Sequence, residues 1–375
     1  MVKSLFNICL SAVCQHQLND HLALIPIECK QKLLEFFTNH DQLSTLDCDR
    51  LVSSPSFADN LTELKFYLSE DLSDSMLAAL TANNKRLERI TLVECPRVTD
   101  KVIRVTSLGI RFLVQRNPNI HCLYLNHCRS LDDQALYDIA YYVGERLRVL
   151  ELDFLPSLAD PAAALQHLST QCPNVCQLSL ARFFNESYDD FPPAVQFKID
   201  GFNLRDIDLY GNYFVILPEL PPTVHSLRLS VNGDENPFEL VRSLEAQPFL
   251  KSINLQLTIR EASIAAIDNA NTLLSTILPY IGNKITILTD LETSQMLSVD
   301  DRFLAILGEN CRQLRCINLN GCRWVSDKGM AALARRCPLR EVRIRGTACT
   351  DQSIYTLAQF CPDLEWISYA DYSGE

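Results

Sequence analysis

The chain has 375 residues, 47% of them apolar, and a formal net charge of −12 from 34 Lys plus Arg against 46 Asp plus Glu. That apolar share suits a folded core and excludes a mainly disordered chain. The negative balance argues against nonspecific binding to nucleic acid or an anionic membrane, and no apolar run approaches the ~20 residues that span a bilayer.

In chain order, residues 1–60 form a non-repeating, helical region. Two helices are predicted, Ser4–Leu18 and Pro26–Thr38. Leu5, Cys9 and Val13 fall at i, i+4 and i+8, on one face of the first. Pro26 suits the first turn of the second, where its missing N–H costs nothing, and Leu33, Leu34 and Phe37 supply an apolar stripe. Lys3 followed by LFNICLSAVC also has the outline of a short signal peptide, interrupted by Asn7. A polar connector, Asp47–Asn60, follows.

From Leu61 onward one unit recurs, about 11–12 times over residues 61–375. It is clearest near the C-terminus, where LRCINLNGCRWVSDKGMAALARRCP is followed by LREVRIRGTACTDQSIYTLAQFC. The L-x-x-L-x-L triplets Leu314, Ile317, Leu319 and Leu339, Val342, Ile344 alternate as a strand with one buried face does. The pairs Ser326-Asp327 and Thr350-Asp351 then read as helix starts, because their side chains accept from free helix N–H groups. A strand plus a helix every ~25 residues is the leucine-rich-repeat pattern, and such units must stack to bury their apolar faces. Motif starts are predicted at Leu61, Leu87, Ile120, Leu147, Val175, Leu204, Val224, Leu250, Ile285, Leu314, Leu339 and Leu364. Helix starts are predicted at Ser73-Asp74, Thr99-Asp100, Asp132-Asp133 and Ala159-Asp160. The stretch 183–300 is irregular. Phe183–Phe202 reads as a long excursion, and the unit from Leu204 has no room for a full helix, with Asn212 placed to bond neighbouring backbone turns.

The expected fold is therefore α/β: a right-handed curved solenoid with a parallel sheet on its concave side, preceded by a small helical cap. Strand alternation predicts which side chains face outward from that sheet. Tyr67, Tyr124, His127, Phe154, Arg182, Tyr210, Arg228, Asn318, Asn320, Arg343, Arg345 and Trp366 are the candidates for holding a protein ligand. Aromatic residues and Arg dominate protein-binding hot spots.

No pattern for catalysis is present: no H-E-x-x-H, no G-x-S-x-G and no phosphate-cradling Gly-rich loop. The 15 cysteines mostly hold repeat-fixed places, ending strands (Cys95, Cys128, Cys322) or helices (Cys172, Cys311, Cys337, Cys361). They read as small buried thiols rather than metal ligands or disulfides, which implies a cytoplasmic or nuclear chain with no cofactor and no metal.

Two resemblances follow from these residues. Ser4 to Val13 is similar to the S-L-x-x-x-C-x-x-x-[apolar] box that binds elongin C, and Ile25-Pro26-x6-Leu33-Leu34 looks like the cullin-2 box that follows it, as in zyg-11-type receptors. The Cys-ended strands with Ser/Thr-Asp helix starts resemble F-box/leucine-rich-repeat proteins, and the layout of residues 1–172 and 311–366 resembles the antagonist of mitotic exit network family. Arg104-Val105-Thr106-Ser107-x-Gly109-Ile110 resembles the second repeat of that family. The resemblance implies a non-catalytic substrate-recognition subunit of a cullin-RING ubiquitin ligase. Leu5, Cys9, Val13, Pro26, Leu33 and Leu34 would dock elongin C and cullin-2. Pro26–Phe57 also resembles a degenerate F-box, which implies the F-box adaptor and cullin-1 instead, and a plain scaffold or inhibitor is a further alternative.

Overall fold

The computed structural model describes residues 26–39, 60–67, 72–94, 105–184, 197–212, 219–231, 237–257, 290–293 and 299–370. The box at Leu5, Cys9 and Val13 lies outside the described residues. Two compact units are present, one ending at Ser179 and one beginning at Leu180.

In the first unit, strands β1 (Glu63–Tyr67), β2 (Arg89–Val93), β3 (Cys122–Asn126), β4 (Val149–Glu151) and β5 (Gln177–Ser179) pair in parallel and in sequence order. Helix α1 (Ile27–Asn39) packs on β1. Helices α2 (Asp74–Thr81), α3 (Ser107–Arg116), α4 (Asp133–Val143) and α5 (Pro161–Gln171) follow strands β1 to β4 in turn, and each packs on the next. The second unit repeats the plan. Its strands β6 (Asp206–Leu209), β7 (Ser226–Val231), β8 (Ser252–Leu257), β9 (Asp290–Glu292), β10 (Cys316–Asn318), β11 (Glu341–Arg343) and β12 (Trp366–Ser368) are again parallel and sequential. Its described helices are α6 (Pro237–Glu245), α7 (Asp301–Asn310), α8 (Asp327–Ala334) and α9 (Asp351–Phe360). Parallel strands joined by helices at this spacing are a leucine-rich-repeat fold.

The apolar triplets set the register. Leu64, Ile90, Leu123 and Leu150 are paired strand to strand and each is fully buried. Leu291, Ile317 and Val342 form the equivalent row in the second unit, at 3% exposure or less. Burying one such side chain is worth about 1.5–3 kcal/mol, so a repeat missing its triplet has little to hold it.

The Ser/Thr-Asp pairs do more than start helices. The Ser or Thr caps its own helix: Leu108 N–H donates to Thr106 Oγ1 and Lys328 N–H to Ser326 Oγ. The Asp that opens a helix reaches to the cap of the next one. Asp74 accepts from Thr106 N–H at 2.7 Å, Asp301 from Ser326 N–H at 2.8 Å and Oγ at 2.6 Å, and Asp327 from Thr350 N–H at 2.9 Å and Oγ1 at 2.7 Å. Asp133 does the same for Ala159 and Asp160. These carboxylates explain two glycines. A Cβ at Gly109 would occupy the position of the Asp74 carboxylate, and one at Gly329 that of Asp301.

Helix ends are closed by cysteines. The N–H groups of Cys172, Cys311 and Cys361 donate to Leu168, Leu307 and Leu357, and Cys337 Sγ lies 3.4 Å from the Cys311 carbonyl oxygen. Burial pushes the thiols of Cys172, Cys311 and Cys337 up to about 12, so they stay protonated and serve as packing groups.

Helix α1 begins after exposed Pro26, whose carbonyl accepts from Cys29 and Lys30 N–H groups. Its Leu33 and Leu34 are buried, at 1% and 0% exposure.

Two positions differ from the sequence reading. The helix of the second repeat starts at Thr106-Ser107, not at Thr99-Asp100, which lies outside the described residues. Asp74 selects this start, because its carboxylate finds both donors of Thr106 there. The ninth motif starts at Leu288 rather than Ile285: its strand is Asp290–Glu292, with Leu291 in the core row. The third core slot of that repeat holds Thr293, fully buried and donating from Oγ1 to the Asn318 carbonyl at 3.2 Å, so a polar residue hides the triplet.

In the irregular middle, buried Phe183, Phe184 and Phe197 form a ring cluster, with centroids 5.1 and 4.5 Å apart. Asn212 has the predicted job: its Nδ2 donates to the Leu180 and Leu209 carbonyls, at 2.7 and 3.0 Å.

Candidate protein-binding surface

The outward face of each sheet is built by alternation. Where Leu64, Ile90 and Leu123 point inward, their neighbours Lys65, Thr91 and Tyr124 form the adjoining cross-strand row. On the first unit this face is a bonded network. Arg89 Nη1 lies 3.3 Å from Glu63 Oε1. Asn126 Nδ2 donates to Glu151 Oε2 at 2.8 Å, while its Oδ1 accepts from Asp153 N–H at 3.2 Å. Ser179 Oγ donates to Asp153 Oδ1 at 2.6 Å. Tyr67 and Tyr124 are half-buried within it. Burial raises the Tyr124 pKa, with neighbouring Cys122 and Glu151 adding to the rise against Arg89, so its phenol remains a donor.

The ends of seven described strands, β2 to β6, β10 and β11, carry a second feature. After the third strand position the chain turns toward its helix, and the turning residue has positive φ. Gly321 and Gly346 fill this place with φ of 76° and 68°, as the steric rule favours. Three successive repeats of the first unit fill it with Glu94, His127 and Phe154, at φ of 44°, 59° and 53°. The turn is fixed by the ladder: Glu94 N–H donates to Asn126 O and His127 N–H to Asp153 O. The side chains adjoin. His127 Nδ1 lies 3.9 Å from Glu94 Oε1, the His127 and Phe154 rings are 5.3 Å apart, and the Arg129 guanidinium is 5.8 Å from the Phe154 centroid. A non-glycine residue with positive φ is uncommon, and a bulky one such as Phe154 is an outlier. Strain of this kind concentrates where side chains are needed for a task.

On the second unit, Arg182 has φ of 55° and donates its N–H to the Tyr210 carbonyl at 2.8 Å. Arg228 pairs with Asp208 at 2.9 Å and lies 4.3 Å above the Tyr210 ring. Further along, Asn320 N–H donates to Asn318 Oδ1, and Arg345 N–H to Asn320 Oδ1. Arg343, Arg345 and Trp366 are exposed, and the Arg343 guanidinium sits 5.2 Å from the Trp366 ring centroid. A recess of about 160 Å³ opens on this face, with Asn254, Cys316, Asn318, Glu341 and Arg343 around a floor of Ile253, Leu291 and Ile317.

Of the twelve face residues predicted from sequence, Tyr67, Tyr124, Arg228, Asn318, Arg343 and Trp366 lie on strands. His127, Phe154 and Arg182 lie at the positive-φ turns, and Tyr210, Asn320 and Arg345 lie just beyond strand ends. Sequence reasoning did not find Glu94 and Arg129 as parts of these clusters, whereas strand alternation does place the recess residue Asn254 on the outward face. Glu94 precedes the strand-ending Cys95, as His127 precedes Cys128, and that shared place was the available signal. Among the described residues, no group of three His, Cys, Asp or Glu could hold a metal ion, and no helix is long and apolar enough to cross a membrane.

No protein-family model matches the chain. F-box/LRR-repeat protein 4 of Bos taurus is 24% identical over 370 residues, covering 94% of this chain and 55% of that protein. The chain thus spans about half the length of this curated relative. Among solved structures, the crystal structure of the Rad7 and Elc1 complex in yeast matches with 14% identity and a TM-score of 0.47, covering 100% of this chain and 96% of that chain. The chain carries a leucine-rich-repeat fold and is similar, along nearly its whole length, to an F-box/LRR-repeat protein.

Proposed function

We propose that the chain is a non-catalytic substrate-recognition subunit of a cullin-RING ubiquitin ligase, working in the cytoplasm or nucleus. Residues 1–60 are its handle and residues 61–375 its substrate-binding array. One observation carries the reading: Glu94, His127 and Phe154 keep strained backbone geometry at a turn where glycine serves elsewhere, and they do so beside one another on the sheet rim. Side chains held there against a steric penalty fit a binding surface better than a solvated edge. The similarity to an F-box/LRR-repeat protein supports the same class.

In this reading Leu5, Cys9 and Val13 enter elongin C, and Pro26 presents the helix that cullin-2 meets. Leu33 and Leu34 are buried against the first repeat, so they act by fixing that helix in place. The mechanism is proximity, since a tethered substrate sees the loaded ubiquitin at high effective concentration. A second reading, docking on the F-box adaptor and cullin-1, is favoured by the F-box/LRR relative.

Co-expression of the full chain with each adaptor and cullin pair separates the two. Recovery of elongin C and cullin-2 by the wild type, and its loss in Leu5→Glu, is the expected result. Recovery of the F-box adaptor and cullin-1 unaffected by Leu5→Glu selects the second reading, and recovery of neither pair refutes both.

A further inference from the structure

We propose that the β10–β12 end of the second unit's sheet face docks an extended acidic segment whose two carboxylates are one residue apart. This names the substrate class of the receptor proposed above and rests on that reading.

Arg343 ends β11 and Arg345 lies two residues further on; Leu319 N–H donates to the Arg343 carbonyl and Gly321 N–H to the Arg345 carbonyl, so the two side chains flank buried Ile344 on one face. Both are exposed, and among the described residues neither guanidinium has a carboxylate partner. Four other surface arginines do: Arg89 pairs with Glu63, Arg228 with Asp208, Arg336 with Glu309 and Arg340 with Glu365. In a chain of net charge −12, they set two cations close together on one exposed face.

The surroundings hold these cations ready without neutralising them. Trp366 is 47% exposed, and its ring lies 5.2 Å from the Arg343 guanidinium, a contact that orients the charge and leaves it intact. Asn320 is fixed by accepting the Arg345 N–H on Oδ1 at 2.8 Å. Its Nδ2 is the donor end of the same amide. The recess beside Arg343 gives one ligand side chain a place to enter.

Spacing selects the ligand. Same-face residues of an extended chain are about 6.7 Å apart, for the laddered stretch from Glu341 to Arg345 and for a peptide laid along it. Two acids at i and i+2 therefore meet Arg343 and Arg345 together, each able to form the forked guanidinium–carboxylate pair. Glu341 continues the line two residues before Arg343, on the recess wall. It repels a third acid at the next same-face position, so the surface reads two carboxylates and rejects an unbroken acidic run.

The test is selection of random twelve-residue peptides displayed on phage, panned on the full chain in wild-type, Arg343→Glu/Arg345→Glu and Glu341→Gln forms. The wild type should enrich peptides with acids at i and i+2 at least about tenfold over the charge-reversed variant, and the yield should fall with salt. Glu341→Gln should accept a third acid at the next same-face position. Binding of a selected peptide should change the fluorescence of Trp366 in a Trp324→Phe background. Selection of peptides without this spacing, no enrichment, or equal enrichment by the charge-reversed form overturns the proposal. If the double reversal lowers the melting temperature, Arg343→Gln/Arg345→Gln replaces it with the same expected loss. The adaptor pull-down on the same variants keeps the two claims apart. A chain that recovers its cullin but ignores acid spacing refutes this surface alone, and a chain that recovers no cullin refutes the receptor reading.

Discussion

The two units meet the same backbone demand differently. At the turn after the strand, the second unit uses Gly211, Gly321 and Gly346 and only Arg182 as a non-glycine among the described residues, whereas three successive repeats of the first unit use Glu94, His127 and Phe154. Glycine reaches positive φ without steric penalty, and other residues lose roughly 1–2 kcal/mol there. The first unit therefore carries side chains at a strained place, forming a rim of carboxylate, imidazole and phenyl groups. The second unit, Arg182 apart, places its exposed groups on strands (Arg343, Trp366) or just past a strand end (Arg345), without positive φ. A repeat fold can offer side chains from a strand face or from a turn, and only the second choice costs stability.

The comparison holds only if both units are clamped alike. Gly109→Ala and Gly329→Ala should each lower stability by about 2–3 kcal/mol, because the new methyl displaces the Asp74 or Asp301 carboxylate from the next helix cap. Both tryptophans, Trp324 and Trp366, lie in the second unit. Urea unfolding followed by tryptophan fluorescence should thus register Gly329→Ala strongly, and far-UV circular dichroism should register both variants. A cost in one unit only would break the comparison.

Exchanging turn residues sharpens it. Gly346→Ala should cost about 1 kcal/mol by the left-handed penalty, measured in the same titration. Phe154→Gly and His127→Gly should be neutral or raise stability by up to about 1 kcal/mol, since relief of strain offsets the lost ring contact. Destabilisation of Phe154→Gly beyond about 2 kcal/mol would make Phe154 a packing residue and remove the functional reading of the rim.

The smallest effect is in acid. Burial opposes ionisation of Asp327, but hydrogen bonds from Ser353 and Thr350 outweigh it and set its pKa below the usual carboxylate value. A depressed pKa contributes stability above the unfolded value of about 3.9 that is lost as pH falls through the folded value. Tryptophan-detected stability should therefore decline as pH drops below about 4, and Asp327→Asn should flatten that decline.

Much of this architecture is legible in the sequence. Leu314, Ile317 and Leu319 announce a strand because alternation is local, and Ser326-Asp327 announces a helix because capping is local. What escapes is non-local. That Asp301 selects the cap of the following helix cannot be seen within one repeat, and an insertion made Thr99-Asp100 look like a start that Thr106 occupies. Thr293 hid the ninth triplet because its hydroxyl finds a carbonyl in the neighbouring repeat. The strained rim is silent in sequence, since nothing in Glu94, His127 or Phe154 encodes positive φ. The ladder imposes it, through N–H groups that must reach the next strand's carbonyls.

The claim that handle and face are separate parts of one receptor is tested most directly by quantitative affinity purification of three full-length forms: wild type, Leu5→Glu and His127→Gly/Phe154→Gly. The account predicts that Leu5→Glu loses the elongin–cullin subunits while retaining the other bound proteins, and that the rim variant keeps the cullin while losing those proteins. Loss of the same proteins from both variants, or the absence of any cullin from the wild type, would contradict it.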